Sequence, residues 1–385
     1  MRIAIVHDWL DTWRGGENVL AEALAVFPHA DLFALVDFLR PDERSRVLGK
    51  HASTSFLQRL PGAARYFRAL LPLFPRAMAS LDVSNYDLVI SISHAVAKGV
   101  RTHARQFHVC YCLTPMRYVW DLRETYLVSA GAHRGMSRVV AEGILDRLRY
   151  WDVATSTGVD RFIAISETIR ERIVRCYDRR ASVIYPPVDV AYFTPAAVNR
   201  AEGTYVTASR WVPYKRLDLI VDAFHALPGH RLIVAGDGPD LRNARAVAGT
   251  NVDFTGEVSR QRLRDLLRGA AAFIFAAEED FGIAPVEAQA CGTPVIAFGR
   301  GGATETIRGL DSDAPTGVFF KEQSAAALRT AVAAFEASGN RISADACRAN
   351  AERFAADTFR RRFAEEIAAA LADFHVKRAP ASTPC

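Results

Sequence analysis

Ala270-Ala271-Ala272-Phe273-Ile274-Phe275-Ala276-Ala277 runs into Glu278-Glu279-Asp280-Phe281-Gly282-Ile283-Ala284-Pro285-Val286-Glu287. The apolar run has the composition of a strand buried on both faces of a parallel sheet. Pro285 suits the first turn of a helix, where its missing N–H costs nothing. Strand, tight turn and helix form the unit from which parallel α/β sheets are built. Between the two elements, Phe281, Gly282 and Ile283 present backbone N–H groups where the helix dipole is positive, a good seat for a diphosphate. Glu279 is expected at the strand end and Glu287 in the first helical turn, both facing one crevice. Carboxylates would repel a phosphate, so they make sense as acceptors for hydroxyl groups, as on a sugar or ribose. First-turn electrostatics account for a Glu equally well, and Glu279-Asp280 also fits a solvated loop. Spacing alone leaves both readings open.

The same alternation extends in both directions. Upstream, strand-like runs fall at Arg2–Val6, Asp31–Val36, Tyr86–Ser91, Phe107–Cys112, Arg161–Ile165 and Ser182–Tyr185, with helical spacing over Gly16–Val26 and a Ser166 N-cap. Pro186-Pro187 cannot sit inside a sheet or helix and marks a linker. A second series follows, with strands at Tyr205–Ala208, Arg231–Ala235, Val252–Thr255, Phe273–Ala276 and Val295–Phe298, and helical segments at Leu217–Ala226, Gln261–Leu267, Pro285–Ala290 and Thr304–Ile307. The pattern predicts two doubly wound, Rossmann-like parallel-sheet domains whose strand ends face one cleft. Domains are expected over residues 1–187 and 188–355. Residues 344–373 form a long helical region with Phe354, Phe359, Phe363, Ile367 and Leu371 along one side, and 376–385 are expected to be disordered.

With 385 residues, half of them hydrophobic, 24% charged and a formal net charge of +5, the chain has an ordinary globular composition. Its Cys residues (110, 112, 176, 291, 347 and 385) form no CxxC pair and no ligand-spaced cluster with His. That argues for a reducing, cytoplasmic compartment and against a metal site. The apolar run at the N-terminus is too short for a signal-peptide core, and no apolar stretch is long enough to span a bilayer.

Four further loops follow strands. Arg14-Gly15-Gly16-Glu17 lets a ligand or another backbone approach closely, but it is no GxGxxG fingerprint, which disfavours a nicotinamide cofactor. In Ser209-Arg210-Trp211-Val212-Pro213-Tyr214-Lys215-Arg216, Arg210 and Lys215 form a cationic seat for a diphosphate and for the charge on a departing nucleotide, or a plain basic loop. Gly236-Asp237-Gly238-Pro239 has amides that could line the same site, or it is a simple turn. Gly299-Arg300-Gly301-Gly302 either closes over a ligand or only connects. Residues 59–76 carry four Arg, no acid, and Tyr66, Phe67, Leu70, Leu71, Leu73 and Phe74. This segment, Arg59–Arg76, suits an anionic membrane surface, or else a helix packed on the domain with a basic edge. His133-Arg134-Gly135-Met136-Ser137-Arg138, with Arg147 and Arg149, adds a second basic run. No nucleic-acid-binding motif accompanies this charge.

Taken together, these motifs resemble a retaining glycosyltransferase of family 4 with GT-B architecture, over nearly all of residues 1–375. The family's Glu-x7-Glu motif is matched by Glu279 and Glu287, its Arg/Lys pair by Arg210 and Lys215, and its first-loop Gly-Gly by Gly15 and Gly16. His7-Asp8-Trp9-Leu10, Thr114-Pro115-Met116-Arg117-Tyr118 and Gly299–Gly302 resemble more narrowly the mannosyltransferases of bacterial polysaccharide assembly. The resemblance implies sugar transfer from a nucleotide sugar, GDP-mannose, to a polyprenyl-diphosphate-linked glycan at the inner face of the cell membrane. It implies that Glu279 holds sugar hydroxyls, Glu287 the ribose, Arg210 and Lys215 the diphosphate, and the amides of Phe281, Gly282 and Ile283 phosphate and sugar. It implies no metal or other cofactor, and a last helix, 356–375, that crosses back to the N-terminal domain. One departure matters: where many relatives carry His, this chain has Leu113, which cannot hydrogen-bond a sugar. His94 is the candidate substitute, with a structural His at a helix start as the other reading. A nucleotide-sugar epimerase of the same architecture and a non-catalytic nucleotide-sugar-binding protein stand as alternatives.

Overall fold

The computed structural model describes residues 1–129, 131–132, 134–197 and 200–378. The chain divides into two compact units, Met1–Pro186 with the segment from Phe359 onward, and Pro187–Thr358. His133 and residues 379–385, including Cys385, lie outside the described residues.

The first unit is built on a seven-stranded sheet: β1 (Ile3–His7), β2 (Asp31–Ala34), β3 (Ser53–Thr54), β4 (Leu88–Ser93), β5 (Phe107–Cys112), β6 (Arg161–Ala164) and β7 (Ala181–Val183). The spatial order is β3-β2-β1-β4-β5-β6-β7 and every pairing is parallel. The central strands β4 and β5 are buried along their whole length; their runs are mostly apolar, and buried Ser91 and His108 pair with one another at 2.9 Å. The second unit has β8 (Ala201–Ala208), β9 (Arg231–Ala235), β10 (Val252–Gly256), β11 (Ala270–Phe275), β12 (Val295–Phe298) and β13 (Gly317–Phe320). Their order is β10-β9-β8-β11-β12-β13, again all parallel.

Strand order reverses direction between β1 and β4 in the first sheet and between β8 and β11 in the second. In open parallel sheets such a switch point leaves a crevice outside the carboxyl ends of the two strands, and ligands bind there. The fold therefore singles out the residues just after β1, β4, β8 and β11.

Near the C-terminus the structure differs from the single helical region read over 344–373. One helix ends at Glu352 and another, Ala356–Arg378, follows a break where Val188 bridges Ala355. Phe354 packs on Phe281 within the second unit, with ring centroids 5.3 Å apart. Phe359 and Phe363 meet the Tyr111 ring of β5 edge-on in the first unit, and Phe374 meets Phe107. The evenly spaced aromatics thus serve two different cores. The last helix also continues past residue 375, through Arg378.

Candidate functional site

After β8 the chain enters Ser209–Arg216. Trp211 is fully buried, and its indole N–H donates to the Ala235 carbonyl at 2.9 Å. This anchor leaves Arg210 exposed on one side and Lys215 in a short turn, Pro213–Lys215, on the other. The Lys215 ammonium pairs with the Glu279 carboxylate, which follows β11. Two of the predicted site residues therefore meet at the switch point of the second sheet, each satisfying the other.

Helix Ile283–Ala290 starts immediately beyond, after Gly282 at φ 86°, in the left-handed region that glycine tolerates. Its first N–H groups have no acceptor within the helix. Phe281 is buried, and Gly302 lies so close that a Cβ there would come within 2.3 Å of the Phe281 Cα. The Gly302 N–H also donates to the Glu279 carbonyl at 2.8 Å. The Gly299–Gly302 loop is thus a clasp on the Glu279–Phe281 turn rather than a lid.

Glu287 is the fifth residue of its helix, so it stands in the second turn and not the first as expected. The dipole explanation for a first-turn carboxylate does not apply to it. Its environment is unfavourable to charge instead: burial pushes the carboxyl up to about 7, with Arg260 pulling it down and Asp189 adding to the rise. Arg260 and Asp189 are themselves paired at 2.6 Å, and the guanidinium lies over the Tyr192 ring. A partly desolvated carboxylate with a strongly shifted pKa is a common mark of a binding site.

The Gly236–Gly238 loop plays a different part from the one read in the sequence. The Gly236 N–H donates to the Gly256 carbonyl at 2.7 Å, and the Gly238 N–H to Asp237 Oδ1 at 2.8 Å. A Cβ on Gly236 would lie 1.9 Å from the Ser209 carbonyl oxygen, and one on Gly238 2.1 Å from that of Trp211. Both glycines let two loops pack backbone to backbone. They hold the Arg210–Lys215 loop in place, and their amides are already used.

In the first unit, helix Gly15–Val26 follows β1, and Glu17 reaches back to accept the Arg14 N–H at 2.8 Å. Gly16 is in close contact; a Cβ there would meet Leu113 Cδ1 at 3.0 Å and His7 Cε1 at 3.6 Å. Leu113 therefore fills the space over the Gly15-Gly16 turn with an apolar side chain.

His94 follows β4. Its Nδ1 lies 2.8 Å from Asp8 Oδ2, the Trp9 ring stands edge-on at 4.5 Å, and its side chain is 32% exposed. Asp8 is wholly buried and accepts the backbone N–H groups of His94, Ala95, Val96 and Ala97 at 2.5–3.1 Å. Burial opposes the charge on Asp8, but His94, His7 and these amides outweigh it and hold the carboxyl far below its usual range. Burial likewise opposes an imidazolium at His94, and Asp8, with Glu17 behind it, more than offsets this and raises the His94 pKa. Sequence reasoning picked out His94 but not Asp8 as its partner. The available signal was an Asp directly after the first strand of a parallel sheet, beside a switch point. The ring nitrogens of buried His7 make no close hydrogen bond among the described residues, and Nε2 lies 3.6 Å from the Glu17 carboxylate.

Residues 59–76 form short helical turns, not one amphipathic helix. Phe67, Leu71 and Phe74 are buried in the core of the first unit, while Tyr66 and Leu73 stay partly exposed. Arg59, Arg65 and Arg76 remain exposed, while Arg68 pairs with Asp11. Among the described residues, no helix is long and apolar enough to cross a membrane, and no group of three or more His, Cys, Asp or Glu could hold a metal ion.

With this geometry in view, residues 194–354 match the family of glycosyl transferases group 1. A GDP-mannose-dependent alpha-(1-6)-phosphatidylinositol monomannoside mannosyltransferase of Mycobacterium tuberculosis is 32% identical over 200 residues, 44% of this chain and 50% of that protein. A D-inositol 3-phosphate glycosyltransferase of Mycobacteroides abscessus is 32% identical over 166 residues, 37% of this chain and 38% of that protein. The chain thus spans half or less of the length of these relatives. Among solved structures, Anabaena HepE in complex with UDP and glucose superposes with a TM-score of 0.70 at 18% identity, covering 96% of this chain and 99% of that one. Sucrose-phosphate synthase of Thermosynechococcus elongatus gives 0.72 at 18% identity, covering 97% and 100%. The fold is GT-B, two parallel-sheet α/β domains.

Proposed function

We propose that the protein is a retaining glycosyltransferase of family 4. In this reading it moves a sugar, mannose from GDP-mannose, to a polyprenyl-diphosphate-linked glycan at the inner face of the cell membrane, in surface or exopolysaccharide assembly. The observation that carries this reading is the Lys215–Glu279 pair at the β8/β11 switch point, beside the free amides of a helix start and a desolvated Glu287. Without ligand, the ammonium and carboxylate neutralise one another. A diphosphate gives Lys215 and exposed Arg210 a doubly charged partner. Glu279 is then released to accept hydroxyl hydrogens from the sugar, and Glu287 accepts those of the ribose. The Gly282 and Ile283 N–H groups complete the cradle. As the glycosidic bond to the nucleotide breaks, Lys215 and Arg210 stabilise the negative charge on the departing diphosphate. That diphosphate can take the proton of the incoming hydroxyl, on the face from which it left, which preserves anomeric configuration.

The first unit is assigned to the acceptor, and Gly15 and Gly16, at the start of its helix Gly15–Val26, are assigned to the donor. Leu113 offers no hydrogen bond, and His94, fixed through Nδ1 by Asp8, presents Nε2 in its stead. GDP is favoured over UDP because the mannosyltransferase relative is 32% identical across half its length, whereas HepE shares the fold at 18% identity. Exposed arginines of 59–76 contribute positive charge towards an anionic membrane. The test is a donor-saturated transfer assay with GDP-mannose. Lys215→Ala or Glu279→Ala should lower turnover by about 10²–10³. Turnover near that of the unsubstituted protein refutes the assignment, and a new nucleotide sugar formed from donor alone marks an epimerase instead.

A further inference from the structure

Helix Gly135–Ser156 buries one side, with Leu145, Leu148 and Asp152 facing the first unit's interior. Its opposite side is also apolar. Met136 is 77% exposed, Val139 63%, Val140 56% and Tyr150 78%. At about 100° per residue these four, with Gly143 and Arg147, fall within an arc of about 100° that runs most of the helix length. An apolar stripe of this length in water, on a helix already anchored by its other face, calls for a covering partner.

We propose that this stripe is the surface on which the protein lies against an anionic lipid bilayer. The charges select that occupant. No carboxylate falls within the arc, Arg147 stands in it, and exposed Arg134 precedes the helix. The nearest acids on the flanks are neutralised internally, Asp146 by Arg123 and Glu142 by Arg138. Arginine can lay its stem along the apolar side chains and keep its head among lipid phosphates. Tyr150 suits the interfacial zone, and Met136, Val139 and Val140 suit shallow insertion. A second copy of the helix fits worse: Arg147 lies near the helix midpoint, so parallel or antiparallel pairing sets it at or within a turn of its own copy. The segment 59–76, by contrast, has Phe67, Leu71 and Phe74 in the core and leaves only Tyr66 and Leu73 of its large apolar side chains exposed among its arginines, with no continuous apolar stripe.

This inference deepens the lipid-linked reading of the acceptor, but its readout is separate from sugar transfer. The experiment is flotation of the full-length chain with phosphatidylcholine vesicles, with and without phosphatidylglycerol. The unsubstituted protein should float only with the anionic vesicles. Met136→Ser with Val140→Ser should lower partitioning by at least about tenfold, while Arg59→Gln with Arg65→Gln changes it by less than about threefold. All four positions are exposed, so thermal melting should not move, and transfer to a short water-soluble acceptor should be unchanged in the serine variant. Equal flotation of the serine variant overturns the proposal, as does absence of binding to anionic vesicles. A serine variant that instead shifts from dimer to monomer in sedimentation velocity overturns it in favour of self-association.

Discussion

Replacing Glu287 by Gln should stabilise the protein in alkaline solution and do so progressively less as pH falls. The carboxyl titrates near 7 in the folded chain against an ordinary value of 4.5. A raised acid pKa means that the folded state binds the proton more tightly. Stability from this group is therefore complete below 4.5 and is lost as pH rises through 7. Between about pH 5 and about pH 8 the loss amounts to roughly 2.5 kcal/mol, at about 1.4 kcal/mol per pKa unit. Gln occupies the same volume without ionising, so the melting difference between E287Q and the unsubstituted protein isolates this effect from everything that does not titrate. For a unit of this size, about 2–4 °C per kcal/mol makes the difference some 5–10 °C larger at the higher pH. The assay is ligand-free thermal melting across that range in matched buffers. A difference that does not vary with pH would refute the argument that Glu287 is held charged at a cost, and with it the argument that the site is prepared for hydroxyl donors.

Two further perturbations probe the scaffolding. Asp152→Ala should cost about 3–5 kcal/mol in urea unfolding. It leaves Lys98, paired with Asp152 at 2.9 Å and wholly inside the first unit, without its counter-charge, and strips the Trp120 and Tyr177 donors of their acceptor. Gly302→Ala should cost about 1–3 kcal/mol by forcing a methyl group against the Phe281 backbone. Because that backbone carries the turn after Glu279, the donor KM should rise in the same variant.

The alternation of sheet and helix was legible because strands buried on both faces need largely apolar runs, as at Phe107–Cys112, where His108 is the polar exception. Elements without such a run escaped notice. β13 is only Gly-Val-Phe-Phe, β3 is Ser-Thr, and β8 begins four residues before its apolar part at Tyr205. The helix break near Phe354 was hidden because aromatic spacing continues smoothly across it, although the residues on either side pack into different cores. At the site, Lys215 and Glu279 could be placed from strand ends and motif spacing. The raised pKa of Glu287 could not, since it comes first from burial in the folded unit and then from Arg260 and Asp189, which are remote in sequence. The use of Gly236 and Gly238 as packing surfaces arises from the Ser209–Trp211 loop, and nothing local to those glycines announces it. Asp8 lay in plain view after β1, but its role is set by four amides and an imidazole some 86–89 residues further on.

The central claim is that the second unit holds a nucleoside diphosphate through Lys215 and the turn after β11. Thermal melting with saturating GDP, UDP or ADP, on the unsubstituted chain and on Lys215→Ala, tests it most directly. A nucleotide at about a hundred times its Kd adds about 2.7 kcal/mol, enough to move the transition by several degrees. The account predicts that shift with GDP, little with UDP or ADP, and its loss in Lys215→Ala. A shift with UDP alone would contradict the donor, and a GDP shift that survives the Lys215 substitution would contradict the site.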